Sequence, residues 1–270
     1  SKRGLLRNLI VREARSTGER MVILVTSHEK TPPLEEFTAA LCAEFPDAIH
    51  SLHHMTVKIQ KGSRTEISEK LLHGKSEITE ILRLKLPRAA EELQLIFDIK
   101  PQAFFQPNSA QAEVLYALAL HLANPSPNDV VYDLYCGTGT IGMFFAKLAR
   151  KVYGIELNAS AVESARMNAL KNNIGNTEFL CGDVGKVIFN ISEKPDIVLV
   201  DPPRAGLTSE ALQNILKLTP QKIVYVSCNP ATLARDLGIL SQQYTVRKVQ
   251  PVDLFPQTYH VEAVALLEAS

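Results

Sequence analysis

Hydrophobic positions change their rhythm partway along this chain. In roughly the first hundred residues, short apolar runs are separated by turn-prone residues. Leu5–Val11 and Met21–Val25 read as strands on either side of Ser16-Thr-Gly18. Leu34, Phe37, Leu41 and Phe45 recur at helical spacing. Ile49–Ile59 and Leu93–Ile99 read as further strands, so this part is expected to be a small α+β domain with an antiparallel sheet. From about residue 110 strand and helix alternate. Gln111–Leu122 reads as a helix rich in Ala and Leu, broken by Asn124-Pro-Ser-Pro-Asn128. Strands are expected to follow at Val130–Leu134, Lys151–Ile155, Glu178–Cys181, Ile197–Val200 and Ile223–Val226, with helices such as Ala159–Asn172 between them. Tyr244–Val249 and Val261–Leu267 read as two last strands. The alternation predicts a mostly parallel sheet with helices on both faces. The expected division is 1–95 for the α+β domain and 96–270 for the α/β domain.

Composition narrows the class without changing this picture. The chain has 270 residues, 46% of them hydrophobic, and no apolar stretch approaches the roughly 20 residues of a membrane span. Cys42, Cys136, Cys181 and Cys228 are scattered without a CxxC pair, so no metal centre is suggested, and a reducing, cytoplasmic setting fits best. Net charge is zero, which argues against strong nonspecific nucleic-acid binding. The first twenty residues hold Lys2, Arg3, Arg7, Arg12, Arg15 and Arg20 against Glu13 and Glu19. Such a run reads either as a solvated strand pair or as a phosphate-contacting surface.

The candidate chemistry lies where the apolar runs end. Val130–Gly142 is a strand, a glycine-rich turn and a helix start, and Gly137, Gly139 and Gly142 satisfy the GxGxxG spacing of dinucleotide folds. Glu156 closes the next strand, where an acid can bind ribose hydroxyls. Asp133, however, stands where a diphosphate would need neutral donors. An acidic loop suits a cation instead, and S-adenosylmethionine carries both a sulfonium and an ammonium. Asp183 follows the third strand, where adenine recognition is expected. Asp201-Pro-Pro-Arg204 ends the fourth strand in a stiff rim, because each proline fixes φ and restrains the residue before it. Cys228, in Ser227-Cys-Asn-Pro230, exits the fifth strand into a helix start, where a thiol can be drawn towards thiolate. Read alone it is equally a small buried hydrophobe. Phe255–Glu262 brings His260 and Glu262, the latter a candidate general base at a strand start.

Five ordered motifs raise these readings together. They are Phe104-Phe-Gln-Pro-Asn108, Asp133-Leu-Tyr-Cys-Gly-Thr-Gly139, Asp201-Pro-Pro-Arg-Ala-Gly206, Ser227–Asp236 and Phe255–Glu262. Over residues 101–270 the chain resembles the S-adenosylmethionine-dependent RNA uracil-5-methyltransferases, which make 5-methyluridine in tRNA or ribosomal RNA. The resemblance implies a Rossmann-like class I methyltransferase domain preceded by a smaller α+β domain. It implies Cys228 as nucleophile and Glu262 as base. Gln106, Tyr135, Thr140, Glu156, Asp183 and Asp201 are implied in the cofactor site, with Phe104 and Asp201 at the substrate. It implies an RNA partner and no protein partner. Methylation at another nucleobase position, or a catalytically silent RNA-binding homologue, are the alternatives. Family members commonly begin with a small β-barrel RNA-binding domain, and some carry an iron–sulfur site. Neither has a counterpart in these residues, so the chain is expected to be a fragment or a member lacking those parts.

Overall fold

The computed structural model describes residues 4–58, 65–86 and 92–270. They fall into two compact units, one of Ser1–Ile81 and Asp98–Ala103, the other of Leu82–Phe97 and Phe104–Ser270. The chain passes between them more than once because β5 (Ile78–Leu84) and β6 (Leu93–Ile99), a two-stranded ribbon, each have one end in either unit.

The first unit is a four-stranded sheet of order β1-β2-β3-β4, built from β1 (Leu6–Glu13), β2 (Arg20–Ser27), β3 (Ser51–Lys58) and β4 (Glu66–Gly74). Ile59, at the end of the expected third strand, lies outside the described residues. The sheet is mixed rather than antiparallel: β2 and β3 run parallel, while β1–β2 and β3–β4 are antiparallel. The physical reason is α1 (Leu34–Glu44), which carries the chain back across the sheet so that β3 enters in the direction of β2. β4 escapes sequence reading because almost all of it is exposed, leaving no buried face to impose a period of two. Two of the N-terminal arginines are engaged internally. Arg12 donates to the Ala103 carbonyl at 2.7 Å, and its burial lowers its pKa. Arg20 pairs with Glu13 at 2.5 Å. Lys2 and Arg3 of the same run lie outside the described residues.

The second unit is the expected doubly wound α/β sheet. Its strands are β7 (Val130–Leu134), β8 (Lys151–Glu156), β9 (Thr177–Cys181), β10 (Ile197–Val200), β11 (Lys222–Ser227), β12 (Tyr244–Val252) and β13 (Glu262–Ala269). Their order is β12-β13-β11-β10-β7-β8-β9. β7 to β11 are parallel, and β13 is inserted antiparallel between β11 and β12. Alternate residues of each apolar run serve opposite cores, as a strand covered on both faces requires. Val131, Val152, Leu199, Val224 and Val264 pack with α2 (Ser109–Ala123), α3 (Thr140–Ala146) and α4 (Ala159–Lys171). Tyr132, Ile155, Val198, Tyr225 and Ala265 pack with α5 (Val184–Val187), α6 (Ser209–Leu218) and α7 (Pro230–Leu240). Strand order reverses between β7 and β10, which opens a crevice beyond their carboxyl ends. Among the described residues no helix is long and apolar enough to cross a membrane.

Candidate active site

The glycine-rich loop after β7 is shaped by backbone that few side chains tolerate. Tyr135, Gly137 and Gly139 have φ of 64°, 54° and 75°. Gly142 lets α3 approach β7: its N–H donates to Asp133 at 3.1 Å, and a Cβ there would lie 2.4 Å from the same carboxylate oxygen. Glu156, at the end of β8, accepts from Gly137 N–H at 3.2 Å and from Asn158 N–H at 2.7 Å. Loop, second strand and their acids are thereby held as one piece.

Three carboxyls of this unit share one electrostatic neighbourhood. Asp133 is 2% exposed. Burial, then the nearby Asp201, pushes it up to about 8, against the Gly142 hydrogen bond that favours its charge. Asp201 is pushed up to about 7 by burial and by Glu262. Burial also raises Glu262, while Arg204 pulls the other way. The buried Tyr116 of α2 has its phenol raised by burial and by all three acids. No salt bridge among the described residues neutralises any of them. Such a cluster has the chemistry of a cation site.

Cys228 stands beside Glu262 because of strand register. β11 pairs antiparallel with β13 as far as Ser227↔Ala263. Cys228 follows Ser227 and Glu262 precedes Ala263, so both adjoin the last pair of the ladder, and Glu262 acts electrostatically on the Cys228 thiol. Cys228 is partly exposed. Its pKa is raised by burial, then by Glu262 and Asp201, with Arg204 opposing. The expectation that the helix start draws this thiol towards thiolate is therefore not met, first because burial disfavours the charged form. The nearby acids disfavour a second negative charge. The first amides of α7 are also satisfied locally: Asn229 N–H donates to Ser227 Oγ, and Ala231 N–H donates to Asn229 Oδ1, each at 3.1 Å.

The stiff rim after β10 is clamped onto α7. The Arg204 carbonyl accepts from Asn229 Nδ2 at 3.1 Å and from Thr232 Oγ1 at 3.3 Å. Asp236, fully buried, accepts from Leu207 N–H at 2.8 Å and from the Tyr225 hydroxyl at 2.7 Å. It also pairs with Arg235 at 2.7 Å, which in turn donates to the Ala205 and Leu207 carbonyls at 3.0 and 3.2 Å. Gly206 has φ of 76°, and a Cβ there would strike Arg235. Sequence reading gave Asp236 and Arg235 no role. The available signal was an acid falling on the apolar stripe of Leu233 and Leu240.

The remaining expected residues are placed less closely. Thr140 starts α3, buried, with its hydroxyl 3.1 Å from that of Thr138. Asp183 is exposed ahead of α5, and its charge helps push the Tyr135 phenol up to about 12, after burial. Phe104 is 70% exposed and Gln106 partly buried. No hydrogen bond or ring contact among the described residues ties either to Cys228 or the acids. Their motif is fixed at its end, where Asn108 Nδ2 donates to the Leu254 carbonyl at 2.8 Å, just before the Phe255–Glu262 motif. A separate cavity of about 700 Å³ opens beside edge strand β9, lined by Arg166, Leu170, Phe179 and Cys181 among others. None of the nine expected site residues lines it.

Comparison with known proteins gives this fold a family. The model of the tRNA (uracil-5-)-methyltransferase family matches residues 35–182 and 188–270. This chain belongs to that family. An uncharacterized RNA methyltransferase of Clostridium tetani is 42% identical over 270 residues, which is 98% of this chain and 56% of that protein. One of Protochlamydia amoebophila is 44% identical over 280 residues, 98% of this chain and 63% of that protein. The chain thus spans less than two thirds of the length of these curated relatives. Among solved structures, the Pyrococcus abyssi tRNA (uracil-54, C5)-methyltransferase in complex with S-adenosyl-L-homocysteine matches with a TM-score of 0.74. It is 32% identical and covers 98% of this chain and 60% of its own. Trm5b of the same organism, 14% identical with a TM-score of 0.60, shares the fold. This family member therefore has the class I methyltransferase fold that its motifs implied.

Proposed function

We propose that this family member transfers a methyl group from S-adenosylmethionine to C5 of a uridine in RNA, tRNA or ribosomal RNA, through a covalent adduct on Cys228. The observation that carries the reading is that Cys228 and Glu262 both adjoin the last pair of the β11–β13 ladder and interact electrostatically, with Asp201 acting on the same thiol. Family membership and the likeness to the Pyrococcus abyssi enzyme support it.

The residues present fit the cofactor. Asp133 and Asp201 form a buried acidic wall with no salt-bridge partner among the described residues, ready to ionise against a bound cation, and a Cβ at Gly137 would meet nothing within 4 Å. Glu156 and Asp183 would take the ribose and adenine ends, with Gln106, Tyr135 and Thr140 completing the site. When bound, S-adenosylmethionine supplies an electrophilic methyl group and a positive charge.

Uracil C5 is a poor nucleophile until a thiolate adds to C6, which makes C5 enolate-like. Cys228 Sγ, partly exposed, gives its proton to solvent and forms that bond as the thiolate, and a cation held near Asp201 and Asp133 would ease the loss by cancelling their repulsion. After C5 has gained the methyl group, Glu262 takes the C5 proton. The electron pair of that C–H bond re-forms C5=C6, the Sγ–C6 bond breaks, and Cys228 leaves as it entered. Asp201 orients the base or the cofactor, and Phe104 stacks near the exchanged base. The target must be unstacked to reach a site at the end of a sheet.

The test is Cys228→Ala beside wild type, on RNA containing uridine and on RNA containing 5-fluorouridine. Expected are 5-methyluridine from wild type, a stable adduct with the fluorinated RNA, and neither from the variant. Normal methylation by Cys228→Ala would sink the covalent scheme. Methyl transfer to another base position would sink the uridine reading, and RNA binding without any transfer would leave a silent homologue.

A further inference from the structure

The segment that delivers Glu262 carries an aromatic group that the proposed chemistry does not use. Tyr259 is 87% exposed, more than any other exposed large hydrophobic or aromatic residue of the described chain. An aromatic ring left in water forgoes the burial that ordinarily stabilises it. Tyr259 is nevertheless ordered by its neighbours. Its ring lies 4.2 Å from that of His260, centroid to centroid, at an interplanar angle of 50°. His260 is fixed in turn, its Nδ1 lying 3.0 Å from Arg204 Nη2. The guanidinium donates there, so Nδ1 is the acceptor. His260 N–H is turned onto Thr258 Oγ1 at 3.2 Å, and Thr258 closes its own turn onto the Phe255 carbonyl. The exposed ring, three residues from Glu262, thus leans on an imidazole that is hydrogen-bonded to a guanidinium, and the same Arg204 acts electrostatically on both Glu262 and Cys228.

A polar-backed aromatic plane at the mouth of a nucleobase site, with a cation behind it, has the recognition chemistry of an unpaired base. We propose that Tyr259, positioned by His260 and Arg204, is a stacking platform for an unpaired nucleotide adjoining the one that enters the Cys228–Glu262 site. This deepens the proposed function and rests on RNA being the substrate. The platform holds the substrate in a splayed conformation, in which the target base is already out of its stack. It acts on binding and presentation and takes no part in bond making.

The experiment uses the full chain with a single-stranded RNA oligonucleotide in which one uridine is flanked on each side by 2-aminopurine, whose fluorescence is quenched on stacking. Wild type is expected to quench the probe. Tyr259→Phe is expected to do the same, and Tyr259→Ala to lose the quenching and bind the RNA about 5- to 150-fold more weakly, the range for one base–aromatic stack. S-adenosylmethionine affinity and circular dichroism should be unchanged in both variants, and KM should move more than kcat. Equal quenching by Tyr259→Ala and wild type, or no quenching by wild type, would overturn the platform. Quenching is read without methyl transfer, so the two proposals fail separately. A chain that stacks the probe but methylates no uridine would end the uridine reading and leave the platform standing.

Discussion

Both units bury acids, and they treat them in opposite ways. In the first unit Glu80 is 1% exposed, and its carboxylate accepts from the backbone N–H groups of Arg15, Ser16 and Ile81 at 2.8 to 3.0 Å. Those donors fasten the β1–β2 turn to β5, a structural use of a buried charge. In the second unit Asp133 has Gly142 N–H, and beyond burial Asp201 raises Asp133 while Glu262 raises Asp201. A fold does not gather like charges at the end of a sheet for its own stability. The contrast separates the clamp from the site even within the second unit. Asp236, fully paired by Tyr225, Leu207 and Arg235, belongs with Glu80.

The sharpest break of this contrast is kinetic. Glu262→Gln keeps the shape and removes the base. Turnover is expected to fall by about 10²- to 10⁴-fold, with an RNA–protein adduct accumulating on a denaturing gel because the C5 proton stays in place. Unimpaired turnover would make Glu262 one more structural acid. Next in size is Asp236→Ala, which leaves Arg235 and the Leu207 N–H without their buried partner. It is expected to cost about 3 to 5 kcal/mol in denaturant unfolding and to loosen Arg204 with it. A loss below 1 kcal/mol, on the order of a surface pair, would show that the rim does not depend on the clamp.

Asp133→Asn should go the other way. The folded carboxyls of Asp133 and Asp201 titrate near 8 and 7, above ordinary carboxylate values. The folded chain therefore holds more protons than the unfolded one from about pH 4 to pH 8, and its stability falls as pH rises through that window. Asp133→Asn is expected to flatten that slope, stabilise the ligand-free protein by about 1 to 2 kcal/mol near pH 8 and weaken cofactor binding. Thermal unfolding across pH with cofactor titration measures both, and an unchanged slope would refute the electrostatic account. The smallest effect belongs to the first unit. Arg20→Ala breaks an exposed pair with Glu13 and is expected to cost about 0.2 to 1 kcal/mol, less at high salt.

The sequence by itself determined the class of the larger unit and the strand ends on which its candidate site residues lie. Strands buried on both faces must be apolar runs, and helices must fill the gaps between parallel strands. The acids and the cysteine that end those runs were legible because open α/β sheets bind ligands beyond their carboxyl ends. β4 was not legible, since an exposed strand carries no periodic signature. The crossover that makes the first sheet mixed is a matter of connection rather than pattern. Only the tertiary structure decided which distant residues meet. Nothing in Cys228 or Glu262 states that β13 slots antiparallel between β11 and β12, yet that register pairs the residues adjoining them, Ser227 and Ala263. Nothing local states that the thiol is held up rather than drawn down, because its pKa follows first from its burial in the folded chain and then from Glu262, Asp201 and Arg204, brought from three other places in the chain. Secondary structure follows from near neighbours and burial. A site's electrostatics follows from through-space distances, and those exist only once the sheet has closed.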